Sequence, residues 1–167
     1  MRALLALAAL LVLSACGLSP MYAGGGSAQV AQGLAAVDVP AIPGQSGWLV
    51  RNALQDRLGI AGSGTPAYRL DVRLDDSLEA LGVLNDDTIS RERRILRARY
   101  QLVDLASGKI LLDATAGSDA GIDVVSSEYA TIAAEQKALE NLALKLAEQM
   151  ATQVSLALRA RAQPQAQ

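Results

Sequence analysis

The residues able to do chemistry in this 167-residue chain are concentrated in one run. Residues 91–99 read Arg-Glu-Arg-Arg-Ile-Leu-Arg-Ala-Arg, five arginines against one glutamate. Successive side chains of an extended strand point to opposite faces. Arg91, Arg93, Arg97 and Arg99 therefore share one face, opposite Leu96, Ala98 and Tyr100. At a rise of ~3.3 Å per residue, alternate positions are roughly 6.6 Å apart. Each guanidinium is a planar fork that grips phosphate or carboxylate through two hydrogen bonds. These four arginines are the candidate ligand-binding residues of an anion surface. The alternative is a solvated strand face neutralised across strands by Asp71, Asp75 or Asp113.

Catalytic machinery is not legible. The chain has no histidine and a single cysteine, which excludes Ser–His and Cys–His nucleophiles and leaves no ordinary zinc ligand set. Gly24-Gly25-Gly26 and Gly62-Ser63-Gly64 lack both the strand–turn–helix setting and the lysine of a phosphate loop. Asp75-Asp76 point to opposite faces if they lie on a strand, and Asp86-Asp87 are solvated if they lie in a loop. The spacing of a calcium EF-hand is missing. No enzyme, no metal site and no cofactor beyond a covalent lipid are expected. The formal net charge of −2 speaks against a globally basic nucleic-acid binder.

That lipid is expected on Cys16. Met1-Arg2 is a short positive start, Ala3 to Leu13 an apolar run, and Ser14-Ala15 a small-residue cleavage site. A stable span needs about 20 apolar residues, so residues 1–15 read as a signal peptide. Leu13-Ser14-Ala15-Cys16 resembles the bacterial lipobox. The resemblance implies diacylglycerol on the thiol, cleavage before Cys16 and acylation of the new amine. The mature chain, residues 16–167, is then one domain without disulfides. It is held at a membrane by acyl chains worth about 0.8 kcal/mol per buried methylene, without spanning it. Gly17, in place of a retention aspartate, points to the outer membrane.

The elements that position these residues follow from periodicity. Residues 16–33 are rich in glycine and read as a lipidated flexible tether, ahead of a domain over 34–161. Leu34 to Ile42 is a short first strand. Ser46 caps a helix from Gly47 to Leu58, with Val50, Ala53, Leu54 and Leu58 on its apolar face and Gly59 as its stop. Tyr68 to Asp75 alternates apolar and charged residues, the pattern of a half-buried strand. A loop carries Asn85, Asp86 and Asp87. Arg91 to Leu105 is a long strand, and Asp104 to Lys109 a hairpin with Gly108 at a left-handed position. Lys109 to Thr115 returns as a strand, and 116–126 is a loop. Ser127 to Ala160 is one long helix capped by Ser127. Leu139, Leu142, Leu146, Met150, Val154 and Leu158 form its buried stripe, with Leu144 and Leu156 off it, set to bury against the sheet edge or a partner. Residues 162–167 are a disordered tail. Trp48 reads as a partly buried core residue or an interface anchor, and Tyr22 as an aromatic packing on a partner or near the membrane. The order β-α-β-β-β-α defines an α+β layer with helices on one sheet face.

Several segments, in order, carry a resemblance. They are Cys16-Gly17-Leu18-Ser19-Pro20-Met21-Tyr22, Arg51-Asn52-Ala53-Leu54, Tyr68-Arg69-Leu70, and Arg91 to Tyr100 with Leu102 and Asp104. Ser107-Gly108-Lys109 and Ser127-Glu128-Tyr129-Ala130-Thr131 complete the set. Over the whole mature chain this ordered set resembles the lipopolysaccharide-assembly lipoproteins of the LptE family, in their shorter alphaproteobacterial style. The resemblance implies a four-stranded mixed sheet covered by two helices. It also implies an outer-membrane, lipid-anchored protein that plugs the β-barrel partner LptD from the periplasmic side and helps place lipopolysaccharide in the outer leaflet. Lipid A carries phosphates, so the arginine stripe could meet its head group, or else acidic groups lining the barrel. The alternatives are an auxiliary periplasmic lipoprotein of a lipid-transport ABC system and, from another class, a hydrolase.

Overall fold

Two long strands carry the architecture. In the computed structural model, which describes residues 25–60, 65–83 and 89–162, strands β2 (Tyr68–Val83) and β3 (Ile89–Asp104) pair antiparallel. Their register sets Leu70 against Leu102, Val72 against Tyr100 and Leu74 against Ala98. Strand β4 (Ile110–Asp123) pairs antiparallel with β3, and the two-residue β1 (Val37–Asp38) pairs parallel with β2. The sheet is thus four-stranded and mixed, in the order β1-β2-β3-β4. Leu70, Leu96, Ala98, Tyr100 and Leu102 are buried on one face, where period-two alternation puts them. The expected signal peptide, Cys16, Tyr22, the Asp86-Asp87 loop and residues 163–167 lie outside the described residues.

Helices α2 (Gly44–Leu58) and α3 (Glu128–Ala162) bury that face. All six stripe residues of α3 are buried, from Leu139 to Leu158. At ~1.5 Å per residue α3 is roughly 50 Å long, close to the length of the strands beneath it. Ser127 caps it as expected, its Oγ accepting the Ala130 N–H at 3.4 Å. The cap of α2 differs from expectation. The helix begins at Gly44, and its N-cap is Pro43 with no side-chain hydrogen bond, not Ser46. The first turn is set instead by close packing: a Cβ on Gly47 would collide with the carbonyl group of Ile42.

Three further corrections concern element bounds. Residues 25–33 are not a tether, since helix α1 spans Gly25–Ala35. Its glycines are poor helix formers, but Val30 is buried and Gly33 lies beside Leu158 of α3. A third helix therefore joins the two expected. Strand β2 runs eight residues beyond Asp75 to Val83. Strand β4 continues through residues 116–123, where a loop was expected. Ala116, Gly117, Ser118 and Gly121 have little strand propensity, and the pairing with β3 overrides it.

One polar clasp closes the hairpin end. The Asp104 side chain is 5 % exposed and pairs with Arg161 from the end of α3. It accepts the N–H groups of Ala106 at 2.9 Å and Ser107 at 3.0 Å. Arg161 also lies 5.9 Å from the Tyr68 ring centroid, a cation–π distance. The Ser107 N–H, then Arg161, holds the Asp104 carboxyl below its ordinary range. A carboxylate favoured in the fold contributes stability above its unfolded pKa of about 3.9 and loses it as pH falls through the lower folded value. Asp104→Asn should therefore lower the melting temperature at pH 7, and the gap from the parent protein should shrink steadily below pH 4. A constant gap from pH 7 to pH 2 would show that the charge of Asp104 plays no part.

Candidate functional site

The odd-numbered arginines of β3 point to the sheet face that carries no helix. Arg91, Arg93, Arg97 and Arg99 are all exposed there, as the alternation predicts. Their surroundings divide them. The Arg91 Nε donates to Asp123 Oδ1 at 3.0 Å, and the Arg93 Nε lies 3.7 Å from Asp119 Oδ2. Arg99 donates to both Asp113 oxygens, at 3.3 and 3.1 Å, and Gln101 donates to the same carboxylate at 2.8 Å. Those bonds, from Arg99 first, hold Asp113 below the ordinary carboxylate range and push the Arg99 pKa up. Three of the four arginines are thus neutralised by acids of β4. Of the acids expected to do this, only Asp113 does. Asp71 is held by Arg69 on its own strand at 2.9 Å. Asp75 stands opposite Arg97 in register and makes no ion pair among the described residues.

The fifth arginine of the run belongs to the other face. Arg94 grips both oxygens of Asp76 at 2.9 Å and donates to the backbone oxygen of Glu135 at 3.3 Å. It fastens α3 to the two central strands.

Arg97 is the exception in the stripe. It makes no ion pair among the described residues. Its β4 neighbour is Gly117, over which the Arg97 stem lies in contact. Arg73 on β2 stands in register with Arg99 and likewise has no ion-pair partner among the described residues. Because Thr115 and Gly117 are small, the face dips between these side chains. The result is an open cleft of about 540 Å³, walled by Arg73, Asp75, Arg97, Arg99 and Thr115 and floored by Leu74, Ala98 and Ala116. Three guanidinium groups and one hydroxyl converge there against one carboxylate, and two of the three carry unanswered charge. That set can hold a phosphate or carboxylate bidentately.

The candidate site therefore shifts along the strand. Arg97 and Arg99 stay in it, Arg73 joins it, and Arg91 and Arg93 are engaged elsewhere. The alternation of Arg69, Asp71, Arg73 and Asp75 makes Arg73 look balanced along β2, and only the cross-strand register sets it against Arg99. Trp48 is 62 % exposed, so it is not a core residue. Leu144 and Leu156 are likewise exposed and do not bury against the sheet. No described helix is long and apolar enough to cross a membrane. Among the described residues, no group of three His, Cys, Asp or Glu could hold a metal ion.

Several solved bacterial lipoproteins share this α+β fold. A lipoprotein from Caulobacter crescentus CB15 superposes with a TM-score of 0.67 at 25 % identity, covering 78 % of this chain and 96 % of that one. Rare lipoprotein B from Shewanella oneidensis has the same fold at a TM-score of 0.52 and 9 % identity, over 75 % of this chain and 93 % of its own. A minor lipoprotein from Acinetobacter baumannii aligns at 0.50 and 20 %, over 72 % and 90 %. No curated protein matches the chain. The family model LptE, lipopolysaccharide-assembly, matches residues 34–154, and the chain belongs to that family. This membership displaces the alternative of an auxiliary lipoprotein of an ABC system.

Proposed function

We propose that this protein is a non-enzymatic outer-membrane lipoprotein of lipopolysaccharide assembly whose bare sheet face receives a lipid A phosphate. In this reading acyl chains on Cys16 hold it to the membrane, and it sits within an LptD-type β-barrel from the periplasmic side. Family membership over residues 34–154 supports the assembly role, and the lipoprotein relatives support the anchor. The observation that carries the ligand is the pair Arg73 and Arg97, free of ion pairs among the described residues and facing one cleft. Arg99 borders the same cleft but shares its charge with Asp113. An open site of this kind binds by screened charge, so its affinity should fall with salt.

The test is a titration of the mature protein with lipid A carrying its phosphates and with dephosphorylated lipid A. Arg73→Gln with Arg97→Gln should weaken the phosphorylated ligand about tenfold or more, equivalent to about 1.4 kcal/mol, and leave the dephosphorylated one unchanged. Arg91→Gln with Arg93→Gln should change either affinity little. Neither pair should alter stability by more than about 0.5 kcal/mol per site, because these are exposed positions. If the Arg91/Arg93 pair proves the sensitive one, the cleft is the wrong site.

A further inference from the structure

The sheet has two unlike edges. Along β4, Asp113, Asp119 and Asp123 are each answered by an arginine of β3. On the opposite side β1 pairs with β2 only at Tyr68 and Arg69. From Leu74 to Leu81 the outer edge of β2 therefore meets no strand among the described residues. Half of the backbone donors and acceptors of an edge strand point outward, and natural proteins blunt such edges with proline, charged side chains (lysine above all), bulges or cover. The charges here are the acids Asp75, Asp76 and Glu79, which repel an acidic strand and admit a basic one. Residues 74–80 contain no proline and no lysine, and the register breaks only beyond Ala80.

The side chains along this edge have a pattern of their own. On the bare face Asp75 and Glu79 flank Ser77, and neither acid has an ion pair among the described residues. On the other face Leu74 is half-buried and Leu78 is 45 % exposed, either side of Asp76, whose charge Arg94 answers. Acid on one face and leucine on the other is a template for a strand of the opposite charge pattern.

We propose that the free edge of β2 takes an extended polypeptide strand from a partner protein. That strand carries basic residues opposite Asp75 and Glu79, four positions apart, and apolar residues opposite Leu74 and Leu78. Backbone hydrogen bonds supply the affinity, and the two acids with the two leucines select the sequence. Antiparallel pairing of a second copy about Ser77 sets Asp75 against Glu79, and pairing about Asp76 sets that acid against itself, whereas a strand with two lysines four positions apart meets an opposite charge at both acids. A basic strand meets both acids running in either direction. The proposal is independent of the lipid A reading. Asp75 also lines the arginine cleft, so the charge is swapped at Glu79.

The mature protein is titrated with the synthetic peptide Val-Lys-Val-Thr-Val-Lys-Val and followed by amide hydrogen exchange. Binding should slow exchange in residues 74–81. The same peptide with glutamates for lysines, or with every amide N-methylated, should bind about tenfold more weakly or not at all. Glu79→Lys, with Asp75 unchanged, should erase the preference between the lysine and glutamate peptides while the exchange of the core stays unchanged. Equal binding of the N-methylated peptide would reduce the effect to bulk charge and overturn the proposal. Absence of protection in 74–81 would overturn it too, as would protection there without peptide in a protein that sediments as a dimer.

Discussion

Leu146→Ala should destabilise the domain by about 2–5 kcal/mol, the range for emptying a fully buried leucine site. Leu146 is fully buried in the stripe that α3 lays on the sheet. Leu142, Ala143, Ala147 and Met150 belong to the same buried core. Leu144→Ala, two residues away, should cost within about 0.5 kcal/mol in the isolated domain, since Leu144 is 50 % exposed. For a domain of this size each kcal/mol moves the melting temperature by roughly 2–4 °C. The two variants should therefore separate clearly in a thermal or urea unfolding series. Equal losses would mean that the wrong face of α3 has been assigned to the sheet.

Cys16→Ser should abolish membrane anchoring outright. A serine hydroxyl cannot take the place of the thiol in lipidation, and cleavage at a lipobox follows lipidation. The variant should accumulate as unprocessed precursor or appear outside its membrane. Its domain should melt like the parent, because the family domain begins only at residue 34 and the chain's one cysteine has no disulfide partner. Fractionation, with mass spectrometry of the N-terminus, reads both outcomes. A variant processed and anchored as before would remove the lipid from the account.

What was legible in the sequence, and what was not, follows from where the signal resides. The stripe of α3 and the buried side of β3 are written as strong periodicities, 3.6 and 2, in large apolar residues, and both appear in the structure as read. The far half of β4 is written in Ala, Gly, Ser and Asp, which carry no such period. Reading 116–126 as a loop had a direct consequence for the site. Asp123, which stands opposite Arg91 in register, and Asp119, diagonal to Arg93, could not be placed beside those arginines. From the sequence, Arg91 and Arg93 therefore look like the free anion-binding pair, and Arg97 and Arg99, deeper in the strand, like structural ion pairs; the structure reverses that order for Arg93 and Arg97. Arg73 was hidden for a related reason, since its juxtaposition with Arg99 is a property of strand register. Helix α1 was hidden by its glycines, whose low propensity is offset by packing on α3.

The ion pairs of the bare face also explain why its charge is tolerated. Exposed pairs such as Arg91–Asp123 and Arg99–Asp113 contribute little stability, but they cancel the repulsion of neighbouring guanidinium groups. Arg73 and Arg97 have no such ion pair among the described residues, and they border a cleft where Thr115 and Gly117 of β4 leave room for a ligand. Stability and ligand binding should therefore separate along the strand, with binding sensitive at Arg73 and Arg97 and folding sensitive at none of these positions.

The most direct test of the assembly role is depletion of the protein in its native host, followed by labelling of lipopolysaccharide at the cell surface. The account predicts that newly made lipopolysaccharide stops reaching the surface and accumulates behind the outer membrane, and that the parent gene restores delivery. Undiminished surface lipopolysaccharide in fully depleted cells would contradict it.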